Sequence, residues 1–365
     1  MNNAKEKACE VLFYPDDPKY DENIRNFQGC PTIAVTKKGR IFVGWYSGGI
    51  KEPDMDNYNL LVKSDDDGKT WSKPILVIPS NKELFVHALD IQLWMDNDGK
   101  LHVFWVQNNT TLRSECKTVR DGDQPLTSNG DYTFDDFVHA EWEIVCDDPD
   151  ADELKFSEPR YLFQGFMRCK PTVLKNGDIL YFAYDQIVKK YSYSISTDNG
   201  ETFSHHIGPD KINTCFDEGM AYQMSDGTVR LLARSYLGAL TELYSKDNGR
   251  TWCDAALSDI VSADTRFFIS WTPSGRLLLV VNDDPKIRKN MTVMLSEDEG
   301  KTWKYKKNID VRENLSYPDV DFKGDDIYLV YDRERTGAKE ILFTKFTEND
   351  IIKNNNIDIS IISKP

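Results

Sequence analysis

Four near-copies of one octapeptide constrain this chain more than any other feature: SDDDGKTW from residue 64, STDNGETF from 196, SKDNGRTW from 245 and SEDEGKTW from 296. Their common form is S-x-D-x-G-x-T-[WF], and their starts are separated by 132, 49 and 51 residues. A period near fifty belongs to solenoids and propellers, and the long first interval has room for one or two degenerate units. At 365 residues the chain also exceeds the length at which one hydrophobic core stops growing, which favours a repeated unit. The octapeptide reads as a turn between strands: Asp66, Asp198, Asp247 and Asp298 bond backbone amides two residues on, Gly68, Gly200, Gly249 and Gly300 take a positive φ, and the Thr and aromatic re-enter a strand. The aromatic then packs between neighbouring sheets.

Each copy is preceded by an alternating apolar run such as KYSYSIS, and before that by a Gly-led run such as GRIFVGWY or GDILYFAY. Counting Gly-led runs gives six units, starting near Gly39, Gly99, Gly177, Gly227, Gly275 and Gly324. The expected fold is therefore all-β: a six-bladed β-propeller occupying 1–365 as a single domain, with four antiparallel strands per blade. The stretch 108–160 reads as an insertion in the second blade, and CEVLFYP near residue 10 is available to close the ring.

Composition narrows the function. The chain carries 45 Lys and Arg against 60 Asp and Glu, a net charge of −15, with no basic run, so nucleic acid and anionic membrane surfaces are excluded as partners. The N-terminal MNNAKEKACEVLFYPDD lacks the apolar stretch of a secretory signal and no window approaches a membrane span, so a cytoplasmic location is expected. Seven cysteines without CxxC spacing read as reduced thiols, and five histidines form no HExxH, so neither a metal site nor a cofactor is expected. The acidic turns DDPDADE and SDDDG read as solvated rather than Ca²⁺-binding.

In a propeller the innermost strand of each blade lines the axis, and residues at its entry share one mouth of the channel. Those entries are Gly29-Cys30, Asp90, Lys170, Glu218, Arg266 and Tyr317. Five of the six are polar or ionisable, which makes this mouth the candidate site, with Lys170, Arg266 and Asp90 as candidate substrate contacts. Trp45-Tyr46 and Tyr236, at strand ends, are candidates to stack on a sugar ring.

These residues carry a family resemblance. The octapeptides resemble the Asp boxes of sialidases, and DEGMAYQMSDGTVRLLAR resembles the sialidase segment in which a Glu opens a blade and an Arg closes the next strand. By that resemblance Glu218 falls on the catalytic glutamate and Arg234 on one of three arginines that bind the substrate carboxylate. IRKNMTVMLSEDEGKTW is similar to the segment carrying another, placing Arg288, and LSYPDV places Tyr317 on the nucleophile. The resemblance extends from about residue 27 to 348. Gly29-Cys30-Pro31 stands where sialidases have Arg-Ile-Pro, so the first arginine is missing, with Arg25, Lys170 and Arg266 as possible replacements. The family's acid/base aspartate lies in a loop that here reads SGGIKEPDMDNYN, offering Asp56 or Asp54, with Glu52 third.

The implied chemistry is coherent. Sialidases depart from the two-carboxylate pattern of retaining glycosidases by using a Tyr nucleophile. Their anomeric carbon bears a carboxylate that would repel an incoming carboxylate, whereas a phenol approaches neutral. A phenol of ordinary pKa near ~10 needs a base within hydrogen-bond reach, the role of Glu218. Arginines grip a carboxylate through two parallel bonds. The resemblance implies a glycoside hydrolase acting on an acidic glycan. The alternatives are a propeller acting on uronic-acid glycans by hydrolysis or elimination, and a glycan-binding propeller without catalysis.

Overall fold

The computed structural model describes residues 3–116, 131–135, 138–186, 188–214 and 216–365. Strands dominate. They form six antiparallel sheets, each assembled from consecutive strands, the blades of a β-propeller. Two short helices, Asn3–Glu6 and Glu348–Ile352, are the α-helical elements among the described residues. Contacts divide the chain into two compact units: residues 1–164 with 330–343 and 360–365, and residues 165–329 with 344–359.

In the first unit, the first sheet runs inside to outside through Phe27–Val35, Ile41–Gly48, Tyr58–Ser64 and Leu76–Pro79. Leu12–Phe13 adds a fifth, outermost strand, with Leu12 opposite Val77. The CEVLFYP segment thus extends the first blade instead of closing a ring. The outermost strand of the sixth sheet comes from the other end of the chain, Ser360–Ser363. The second sheet uses Val86–Met95, Leu101–Leu112, Ala140–Cys146 and Arg160–Gln164. The third of these, Ala140–Cys146, falls inside the stretch 108–160 expected to be an insertion, and the fourth begins at its end. Extra chain is therefore confined to the connection between Leu112 and Ala140, where Tyr132–Phe134 pairs with Thr110–Leu112; residues 117–130 and 136–137 of that connection lie outside the described residues.

In the second unit, the third sheet has a broken inner strand, Phe166–Met167 and Thr172–Val173, both paired with Ile179–Tyr184. The fourth sheet starts at Gly219–Gln223 and the fifth at Phe268–Trp271. Leu315–Lys323 begins the sixth. All six glycines that head the counted units sit in the hairpin after an inner strand with φ between 57° and 103°, which L side chains rarely adopt.

The octapeptides share one hydrogen-bond pattern. In the first, Ser64 Oγ donates to Asp66 Oδ1 (2.8 Å) and accepts from Gly68 N (2.9 Å), while Asp66 accepts from Thr70 N (2.9 Å) and Thr70 Oγ1 (2.6 Å). The aspartate thus reaches the amide four residues on, not two, because Asp67 and Gly68 both take positive φ (64° and 80°) and curl the chain tightly enough to bring Thr70 back. The other three copies repeat these bonds.

Two of the boxes also seal their blade to a neighbouring one, whereas Phe203 of the third sheet's box meets Tyr181 of its own sheet at 5.2 Å. Trp252 of the fourth sheet's box meets Phe182 and Tyr193 of the third edge-on, with ring centres 5.9 and 6.1 Å apart. Trp71 meets Phe343 of the sixth at 5.5 Å. Both tryptophans stand in the link after the turn and wedge against the neighbouring sheet. At Trp71 and Trp252 the box thus converts a repeated turn into a hydrophobic seam, burying apolar surface at roughly 25 cal/mol per Å².

Candidate active site

The second unit gathers most of the expected site. Glu218 immediately precedes Gly219–Gln223, and Arg234 follows the partner strand Val229–Ala233. Tyr317 lies on the inner strand Leu315–Lys323 with φ of 56°, a left-handed conformation for a bulky residue. Such backbone costs of order 1–3 kcal/mol and persists where surrounding contacts over-determine it. Cys30 (58°) and Asp90 (47°), the expected entries of the first two blades, share it, and both stand at register shifts. The inner strands bulge at these points, which re-aims the side chain.

Tyr317 Oη donates to Glu218 Oε1 over 2.5 Å. Arg234 Nη1 donates to the same hydroxyl (3.2 Å) and lies 3.1 Å from the same carboxylate oxygen, and Arg168 Nε lies 3.6 Å from it. The Glu218 side chain is fully shielded from solvent. Burial alone would raise its pKa. The positive charges of Arg234 and Arg168, the Tyr317 hydrogen bond and the charge of Arg266 together outweigh burial and hold the carboxyl below its ordinary value. Glu218 is therefore a carboxylate at neutral pH, ready to accept the phenolic proton. Its neighbour Asp217 behaves oppositely: burial raises it to about 6 despite Lys211 at 2.6 Å.

Asp264 organises two arginines at once. Its Oδ1 accepts from Arg234 Nε (2.5 Å), and its main-chain carbonyl accepts from Arg288 Nε (3.0 Å) and Nη2 (2.7 Å). Among the described residues, Arg234 Nη2 and Arg288 Nη1 donate to no protein group, so both arginines keep a donor for a ligand. The Arg288 guanidinium carbon is 5.9 Å from the centre of the Tyr317 ring.

Arg266 and Lys170 are buried and engaged otherwise. Arg266 donates to the main-chain oxygens of Arg168 (2.8 Å) and Tyr317 (3.1 Å). Lys170 Nζ pairs with Asp319 at 2.5 Å. Arg168, which sequence reasoning missed, leaves the chain where the third blade's inner strand breaks, and its guanidinium lies 4.9 Å from the Tyr317 ring centre.

The other candidates belong to the first unit. Asp54 is buried, and its carboxylate accepts from the amides of Ile50 (3.3 Å) and Asp56 (3.0 Å). Burial raises its pKa, against those two hydrogen bonds. Asp56 is exposed and pairs with Lys82. Glu52 accepts from Arg335 Nη1 (2.6 Å), and the ligating atoms of Cys30, Glu52 and Asp90 lie within 4.8 Å of one another. Arg335 also binds Asp332 (3.1 Å), which accepts the Cys30 amide (2.8 Å). Arg335 was not singled out from sequence. Gly29 lets it in: a Cβ there would meet Arg335 Cδ at 2.8 Å. Arg25 is buried against the Trp45 ring and donates to Ser363 Oγ (3.2 Å) and the Tyr20 carbonyl (3.1 Å). Trp45 and Tyr46 are core residues, 1 % and 0 % exposed, so neither can stack on a sugar; Tyr236 is exposed. Tyr46 Oη instead bonds His87 Nε2 at 2.7 Å.

Six consecutive-strand sheets, Asp-box turns and a buried Tyr–Glu pair ringed by arginines define a sialidase-like β-propeller. The chain belongs to the BNR repeat-like domain family, matched over residues 39–329. Among solved structures it is similar to the NanB sialidase of Streptococcus pneumoniae (16 % identity, 94 % of this chain and 71 % of that one, TM-score 0.67). It is also similar to the intramolecular trans-sialidase of Ruminococcus gnavus (13 %, 94 % and 98 %, 0.69) and to a protein of unknown function from Dyadobacter fermentans (17 %, 91 % and 95 %, 0.67). No curated protein matches the chain in sequence. Among the described residues no helix is long and apolar enough to cross a membrane.

Proposed function

We propose that the protein is a glycoside hydrolase that removes a terminal acidic sugar, sialic acid or a close analogue, through a covalent glycosyl-tyrosine. The observation that carries this reading is the 2.5 Å bond from Tyr317 Oη to a buried, ionised Glu218 beneath Arg234. Tyr317 Oη attacks the anomeric carbon as its proton passes to Glu218, and the glycosidic bond breaks with protonation of the leaving oxygen. Water then cleaves the sugar–tyrosine bond and the phenol recovers its proton. The spare donors of Arg234 and Arg288 suit a sugar carboxylate. Of the loop carboxyls, Asp54 has the raised pKa that an acid requires, whereas Asp56 is paired with Lys82 and Glu52 with Arg335.

One observation favours a second reading. With Cys30 where sialidases place an arginine, the site suits other acidic sugars, and Tyr317 as a base could remove a ring proton from a uronic acid. Product analysis of sialosides and uronic-acid oligosaccharides decides between them. Free acidic sugar marks hydrolysis, an unsaturated product absorbing in the near ultraviolet marks elimination, and binding without product marks a glycan-binding propeller.

A further inference from the structure

The buried cations around Tyr317 divide by what their donors hold. Arg234 and Arg288 each keep an Nη atom for a ligand, but both Nη atoms of Arg266 go to main-chain carbonyls. Those carbonyls belong to Arg168, at the break in the third blade's inner strand, and to Tyr317, on the inner strand of the sixth. The Arg266 guanidinium carbon lies 5.0 Å from the centre of the Tyr317 ring, and the side chain is 3 % exposed.

We infer that Arg266 is a positioning residue for Tyr317: it fixes the left-handed backbone that aims the phenol at Glu218, and it does not bind substrate. The inference rests on the reading of Tyr317 as nucleophile for its kinetic consequence, and on geometry alone for its structural one. A carbonyl held at 3.1 Å fixes the peptide plane that follows Tyr317, so the residue cannot relax from its φ of 56° without giving up that bond. The second bond, to the Arg168 carbonyl, anchors the restraint on the residue that also brings a guanidinium to Glu218. A planar fork can span two carbonyls that a single ammonium serves poorly.

The test compares Arg266→Lys and Arg266→Gln with Arg288→Gln. Loss of positioning lowers kcat by about 100-fold with KM within about twofold, since small misplacement of a reacting group costs that much. Arg288→Gln should raise KM instead. Equal KM increases for the Arg266 and Arg288 variants would overturn the inference by making Arg266 a substrate ligand. In parallel, the Tyr317 resonance of protein labelled with ¹³Cζ-tyrosine, assigned by its loss in Tyr317→Phe, reports the phenol's surroundings without any turnover. It should move in Arg266→Gln and move less in Arg266→Lys. An unchanged resonance in a folded Arg266→Gln would overturn the inference even if the wild type cleaves no glycan, and a moved one would sustain it in that case. Arg266→Lys serves as the test if Arg266→Gln does not fold.

Discussion

Tyr317 and Glu218, 99 residues apart in sequence, meet through a 2.5 Å hydrogen bond at the entries of two inner strands. Both side chains are buried, so the bond forms where water cannot compete and where a carboxylate must be compensated by nearby cations. Arg234 and Arg168 supply that compensation. Removing the base should therefore be costly: Glu218→Gln is expected to lower kcat by about 10²–10⁴-fold. It also removes the carboxylate charge facing the buried Arg168 and one of the two facing Arg234, so a thermal melt should show it destabilised relative to wild type. A variant with wild-type turnover would remove Glu218 from the mechanism.

The Asp-box glycines are expected to be intolerant for two separate reasons. At Gly68, φ is 80° and an added Cβ would lie 2.3 Å from the Phe343 ring, which is itself buried. Gly68→Ala should cost about 2–4 kcal/mol, combining left-handed strain with overpacking at the blade seam. Equilibrium urea unfolding measures this, and a loss below about 0.5 kcal/mol would mean that the seam is softer than its geometry indicates.

Acid should unfold the protein through the same boxes. Bonds from the threonine hydroxyl and amide, with the serine hydroxyl, lower Asp66, Asp198 and Asp298 to about 2 from an ordinary 3.8. A folded pKa below the unfolded one gives stability that is present above the unfolded value and lost as pH falls through the folded one. Stability should therefore drop between pH values of roughly 4 and 2, less steeply in Asp298→Asn than in wild type. Equal slopes in urea titrations of the two proteins would contradict this.

His102 should act in the opposite direction. Burial disfavours its charge, but bonds to Glu143 (2.6 Å) and Asp96 (3.3 Å) outweigh burial and raise its pKa above 6.5. The stabilisation is complete below the unfolded value and lost as pH rises through the folded one. The stability advantage of wild type over His102→Gln should shrink as pH rises from 6 towards 9. An advantage that grows would show the imidazole to be neutral.

Much of this architecture was legible because repetition amplifies local signals. The four boxes and six hairpin glycines mark the blades, since each requires backbone that few residues adopt. Glu218 and Tyr317 were legible because each opens an inner strand within a recognisable motif. Arg168, Asp264 and Arg335 were not, because their roles come from juxtaposition. Asp264 acts through one carboxylate and one carbonyl, and a carbonyl leaves no mark on sequence. Arg335 reaches Glu52 across 283 residues and depends on the missing side chain of Gly29, which in sequence reads only as a departure from a motif. Ala140–Cys146, the third strand of the second sheet, was not legible within 108–160 because no box follows it to announce it.

The most direct test of the central claim is release of methylumbelliferone from its α-sialoside by wild type and Tyr317→Phe, measured side by side with a thermal melt of each. The account predicts turnover by wild type and a fall of at least 10²-fold in the variant, with both proteins folded. Wild-type turnover undiminished in a folded Tyr317→Phe would contradict it.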